Sequence, residues 1–313
     1  MPAAKPSLLL FNPLHRTTTQ RVPLSCSRGL LHALIFAYAR LWPPLQRAVV
    51  RSLVYLRIRL GTKHRNITAR NIRFAFGLPE HSHFSRTMVQ QVFRSQIQIG
   101  LEVIQEAFYP GKLQLHGLAE LQAAVTRLEA ADKGGIIVTA HLGSWDLVGA
   151  AVSAVSRSQL VAVAKPTKRR FLQQLLEELR QRMGMEVIWT HNSRHTLKQM
   201  ALTLKRQQWL GFVMDQKPLL RSGPAVDFFA TPTSFVSGPA TMAIKFQAPV
   251  LAVFCVRTGP QSYRLLQREI LPANHGVDDP EHLTQRFAHT IEEMIRLYPE
   301  QWCWDYKRWR LDA

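Results

Sequence analysis

The sequence predicts an α/β protein, with a mainly parallel central sheet flanked by helices and N-terminal helices of membrane-associating character. Three observations carry that reading. From Leu113 onward, short apolar runs alternate with stretches whose apolar residues recur at helical spacing. That is the pattern of a parallel sheet covered on both faces. Hydrophobic residues are 46% of a 313-residue chain, enough for a sizeable core. Finally, no Asp or Glu precedes Glu80, whereas thirteen Lys or Arg do.

Taken in order, residues 1–28 hold Pro2, Pro6, Pro13 and Pro23 and read as a flexible basic tail. Residues 29–60 read as two helices split at Pro43-Pro44. A third helix over 64–77 stops at Gly77 and Pro79. Residues 82–109 carry Val89, Val92, Phe93, Ile97, Leu101, Ile104 and Phe108 at helical period, and Pro110-Gly111 ends them. Strands are expected at 113–115, 136–140, 160–164, 186–189, 210–214, 226–229, 250–256 and 263–271. Helical patterns lie between them: Phe171 to Met183, Leu197 to Leu204, Gly238 to Phe246 and Glu281 to Leu297.

The formal net charge is +19, but after residue 79 only 27 basic residues face 21 acidic ones. Most of the excess therefore belongs to the first quarter, which suits an anionic partner. Apolar residues interleaved with its arginines favour a lipid surface and a helix lying in a membrane interface; the plainer reading is a solvated basic tail. The uncharged run Gly29 to Ala39 is shorter than the ~20 residues a bilayer core needs. No secretory signal is recognisable, and an Arg-rich transit peptide is the alternative. Cys26, Cys255 and Cys303 are too far apart for a disulfide framework or a zinc site, and fit a reducing cytosol.

Ligands of parallel sheets sit beyond the carboxyl ends of strands. His141, Lys165 and Asp215 each follow an apolar strand there. In TAHLGSWDLVG, His141 and Asp146 read as a general base and its orienting carboxylate, or as a satisfied structural histidine. With twelve His and 21 acids, about one such spacing arises by chance, so only the strand-turn-helix setting lifts it. No G-x-S-x-G, H-E-x-x-H, P-loop or G-x-G-x-x-G motif is present, which favours direct attack by a substrate hydroxyl. Lys165 to Arg170, KPTKRR, places four cations at a helix start, as a phosphate site or a solvated turn. Arg180 and Arg182 follow on the same helix. Met214-Asp215-Gln216 closes a strand, as a turn or as part of a site. Trp302 to Trp309 mixes aromatics and cations, as a core edge or a second interfacial anchor.

Seven blocks in order resemble the lipid A biosynthesis acyltransferases, the lauroyl and myristoyl transferases of Gram-negative bacteria. They are RNIRFAFGLPE, TAHLGSWDLVG, VAKP with LRQRMG, the strand ending MDQ, VDFFATPTSFVSGPATMA, the APV strand and YPEQWCWDYKRWR. The resemblance covers about residues 60 to 310 and makes residues 61–313 an acyltransferase domain. It implies transfer of a fatty acyl chain from acyl carrier protein, or a coenzyme A thioester, to a hydroxyl of a lipid A precursor in lipopolysaccharide biosynthesis. The place implied is the cytoplasmic face of the bacterial inner membrane. His141 and Asp146 match the family's catalytic pair, and Arg180 and Asp215 match its other functional polar positions. Lys165, Arg182 and Gln216 join them as expected substrate-binding residues. No metal or redox cofactor is expected, and the partners expected are an anionic lipid acceptor and the membrane surface, not nucleic acid. Lys165 replaces a usual Arg, Ala230 a usual Gly and Phe235 a frequent Thr, and the pair ends in Asp where Glu is frequent. These differences bear on acceptor and chain length. A lysophospholipid, glycolipid or aminolipid acceptor is the second reading. A non-catalytic basic protein on membrane or nucleic acid is the third.

Overall fold

The computed structural model describes residues 26–190, 193–218 and 223–309; residues 1–25 of the expected tail lie outside them. The first helices are α1 (Cys26–Arg40), α2 (Pro43–Leu60), α3 (Thr62–Phe76) and α4 (His83–Phe108). Pro43-Pro44 does not merely break a helix: it occupies the first turn of α2, where a missing N–H costs nothing. Gly77 caps α3 in the left-handed conformation, and the Ser82 hydroxyl caps α4 by accepting from Ser85 N. The helices α1, α2 and α3 all pack on α4. No helix of the described residues is long and apolar enough to cross a membrane.

The strands are β1 (Gln114–His116), β2 (Gly135–Thr139), β3 (Val161–Ala164), β4 (Glu186–Trp189), β5 (Trp209–Val213), β6 (Ala225–Asp227), β7 (Pro232–Ser234), β8 (Val250–Gly259) and β9 (Ser262–Leu271). Seven form one sheet in the order β1-β9-β8-β2-β5-β3-β4. Every pairing is parallel except the β8/β9 hairpin. The 226–229 run is a correction. It contributes β6, which among the described residues pairs only with β7 in a separate antiparallel hairpin, because the chain reverses at once through the turn at Phe229-Ala230 and the returning β7 takes up the backbone groups of β6. Ala230 there has φ 53°, the left-handed region that glycine enters most easily.

Helices α5 (Leu118–Glu129), α6 (Trp145–Val155), α7 (Arg170–Arg182), α8 (Ser193–Lys205), α9 (Gly238–Phe246) and α10 (Pro280–Leu297) cover the two faces. Alternate residues of each central strand enter opposite cores. Ile136 and Val138 of β2 pack with Phe212 and Phe254 on one side, whereas Ile137 packs with Leu147 and Val253 on the other. A strand buried on both faces needs an unbroken apolar run, which is why these strands were legible. Trp302, Trp304 and Trp309 are all buried, so the C-terminal aromatics are core and not a second interfacial anchor.

Candidate active site

The site grows out of the β2/β5 register. Thr139 lies opposite Val213, and Met214 N donates to Thr139 O at 3.0 Å just past the strand ends. Continuing two residues along each chain sets His141 beside Asp215. The His141 amide donates to Asp215 Oδ2 at 3.1 Å, and its ring Nδ1 lies 2.7 Å from Oδ1. Trp302 Nε1 donates to the same Oδ2 at 2.6 Å. Asp215 is buried and accepts three bonds. An ionised carboxylate only accepts, so the imidazole proton belongs on Nδ1 and the Nε2 lone pair is left for substrate.

The turn after His141 is locked from three directions. Cys303 N donates to His141 O, Gly143 N to Gln301 O and Ser144 N to Cys255 O, at 2.8–3.0 Å. Gly143 has φ 59°, and a Cβ there would stand 2.1 Å from Cys255 O, so only glycine fits. Ser144 then caps α6 by accepting from Leu147 N at 3.2 Å. Asp146 falls in the first turn of α6, where the helix dipole favours an anion.

The expectation that Asp146 orients the imidazole is corrected. Asp146 Oδ1 instead accepts from Arg180 Nε at 3.4 Å, and the carboxylate on the ring is that of Asp215. The reason is local: the helix beginning at Trp145 carries Asp146 toward α7, whereas the sheet register brings Asp215 alongside the histidine. Arg180 also lies over the Trp189 ring, 5.7 Å from its centroid. The Trp145 ring packs on the edge of His141 at 4.9 Å.

Of the other expected site residues, Gln216 reaches the second ring nitrogen, with Nε2 3.4 Å from His141 Nε2. Lys165 is exposed one residue past β3, two strand positions from β2 and so about 10 Å to the side at the same sheet end. Arg182 is turned away, bonding Glu178 Oε1 at 2.9 Å and lying over Phe108 at 4.4 Å. Trp302 is the site residue that sequence reasoning placed as a core edge or an interfacial anchor, and not in the site; its bond crosses 87 residues of chain and leaves no local spacing to read.

Burial alone would pull the His141 imidazole toward its neutral form. The charge and hydrogen bond of Asp215, aided by Asp146, outweigh that and raise its pKa above the ordinary histidine value. Burial pushes Asp215 upward, but His141 and the Trp302 bond bring it below the usual carboxylate range. Asp146 stays above that range because desolvation exceeds the pull of Arg180. The arrangement is a carboxylate-oriented imidazole whose outer nitrogen can take a proton, with a partly buried carboxylate–guanidinium pair beside it.

The family model described as bacterial lipid A biosynthesis acyltransferase matches residues 19–311. Curated relatives include a phosphatidylinositol mannoside acyltransferase of Mycobacterium tuberculosis, 27% identical over 197 residues, 63% of this chain and 60% of that protein. A protein of the same description from Mycolicibacterium smegmatis is 28% identical over 183 residues, 58% of this chain and 59% of its own. The matched part of the chain thus spans about 60% of the length of these relatives.

Proposed function

This chain belongs to the bacterial lipid A biosynthesis acyltransferase family, and from that premise we propose that it transfers a fatty acyl chain from a thioester to a hydroxyl of an anionic glycolipid. One observation carries the mechanism: His141 Nδ1 is held by Asp215, while the ring keeps 22% side-chain exposure. The acceptor O–H gives its proton to Nε2 as the oxygen attacks the thioester carbonyl. A C–O bond forms, the tetrahedral intermediate collapses, the C–S bond breaks, and the imidazolium returns the proton to the leaving thiolate. Asp215 stabilises the imidazolium between those steps. Among the described residues no Ser hydroxyl or Cys thiol hydrogen-bonds the ring, which favours direct attack over a covalent enzyme intermediate.

The family description supports a lipid A precursor as acceptor, whereas the relatives' descriptions support a phosphatidylinositol mannoside. Both are sugar-hydroxyl, phosphate-bearing lipids. Lys165 and its neighbours Lys168, Arg169 and Arg170, all exposed at the same sheet end, suit such a phosphate. The donor is acyl carrier protein or a coenzyme A thioester. The protein works on the cytoplasmic face of a bacterial inner membrane. Support for that placement comes from Leu34, Trp42, Leu45, Tyr55, Leu56 and Leu60, exposed on α1, α2 and the turn between them and interleaved with Arg40, Arg47, Arg51 and Arg59.

The deciding assay offers labelled acyl thioesters and vesicles carrying either acceptor to the purified protein. Acylation of one glycolipid that is lost in His141→Ala is the expected result. Full activity of His141→Ala would refute the mechanism, and acylation of a lysophospholipid alone would refute the acceptor class.

A further inference from the structure

Among the buried charges of the described residues, Arg308 is the least compensated. Its side chain is fully buried. Among the described residues only Nη2 is satisfied, by Ser234 O at 2.9 Å, while Nε and Nη1 find no hydrogen-bond partner there. No described carboxylate forms an ion pair with it. The guanidinium instead lies over the rings of Phe235 and Phe228, at 4.3 and 5.5 Å. A buried cation with idle donors opposes folding, and such a cost persists where it serves function.

What lies across the aromatic layer is Asp215. The Phe228 ring under Arg308 is 6.1 Å from Trp302, whose N–H is bonded to Asp215. The two segments are also tied by their backbones: Arg308 N donates to Tyr306 O, and the Tyr306 hydroxyl accepts from Lys217 N, two residues beyond Asp215. We infer that Arg308 is a positioning residue for the proposed reaction, its buried charge holding the Asp215 side chain as the carboxylate that orients His141. This rests on the acyl-transfer reading above. The charge is present at neutral pH, since burial pushes the guanidinium down only to about 10, with Asp215 and Tyr306 opposing the fall. The charged and titratable groups facing the His141–Asp215 pair are Cys303, Arg308, Asp146 and Arg180; Tyr306 faces Arg308.

The test compares Arg308→Met and Arg308→Lys with the parent for melting temperature, for kcat and KM separately, and for the pH profile. The pKa of His141, read by histidine NMR without substrate, is the fourth measurement. Loss of a cation beside the pair leaves both members easier to protonate. Arg308→Met therefore keeps or raises the melting temperature, lowers kcat about tenfold with KM little changed, and moves the acid limb and the His141 titration up by about one unit. Arg308→Lys restores most of both. An unchanged His141 titration in Arg308→Met, or unfolding of both variants, would assign the residue to the fold and overturn the inference. His141→Ala in the same assay separates the two failures. If it stays active, the base reading falls; if it is dead while the Arg308→Met titration is unmoved, only the role of Arg308 falls.

Discussion

His141 and Asp215 are joined at 2.7 Å although 74 residues separate them in the chain. Their pairing follows from the parallel alignment of Thr139 with Val213, two residues before each. The nearer carboxylate, Asp146, belongs to Arg180.

Asp215→Asn is expected to leave the fold intact and lower kcat by a factor on the order of 10³–10⁴, with KM little changed. An amide that donates to Nδ1 would place the imidazole proton on Nε2, where the base is needed. Steady-state kinetics check this; a loss smaller than tenfold would return the orienting role to Asp146.

Asp146 and Arg180 should act as a unit. Asp146→Asn and Arg180→Gln each lower activity, and the double variant falls short of the sum by about 0.5–3 kcal/mol. The double-mutant cycle on kcat/KM measures it. Strict additivity would mean that the 3.4 Å contact carries no coupling.

The pH profile follows from the direction of the His141 shift. Asp215 and Asp146 hold a proton on the ring beyond the ordinary range, and catalysis needs the neutral ring. The acid limb of kcat/KM should therefore have its midpoint above about 6.5. Asp146→Asn removes a negative charge, destabilises the imidazolium and lowers that midpoint. A parent midpoint at or below the ordinary histidine value would contradict the pairing.

Gly143→Ala should be costly in both stability and activity. The new Cβ would meet the Cys255 carbonyl at 2.1 Å from a left-handed backbone. Relief requires moving the turn that carries His141, at a cost of about 2 kcal/mol or more. Thermal denaturation and kcat together test it, and a parent-like melting temperature is the contrary result.

Trp42 and Leu60 are 70% and 78% exposed, at the two ends of α2. The double change to Ser should weaken binding to anionic vesicles about tenfold and leave the melting temperature unchanged. Vesicle co-sedimentation at low and high salt reads both the apolar and the arginine contributions. Undiminished binding would move the lipid-facing surface away from α2.

The fold class was legible because its signals are local. Ile136 to Ala140 and Val250 to Val256 are unbroken apolar runs, as strands buried on both faces must be, and Phe171 to Met183 keeps a helical period. His141, Lys165 and Asp215 were legible one at a time, as polar residues following strands. Family resemblance singled out Asp146 and Arg180 but could not say which carboxylate touches the ring. That choice depends on strand order: β5 lies beside β2, whereas the chain leaving His141 turns at once into α6 and takes Asp146 toward α7. The indole of Trp302 on Asp215, and Arg308 behind it, come from a segment that returns to the sheet only after α10. Periodicity in a chain records which face of an element is buried, and carries no information about which distant side chain will meet it. Tertiary packing alone made Asp215, rather than Asp146, the partner of His141.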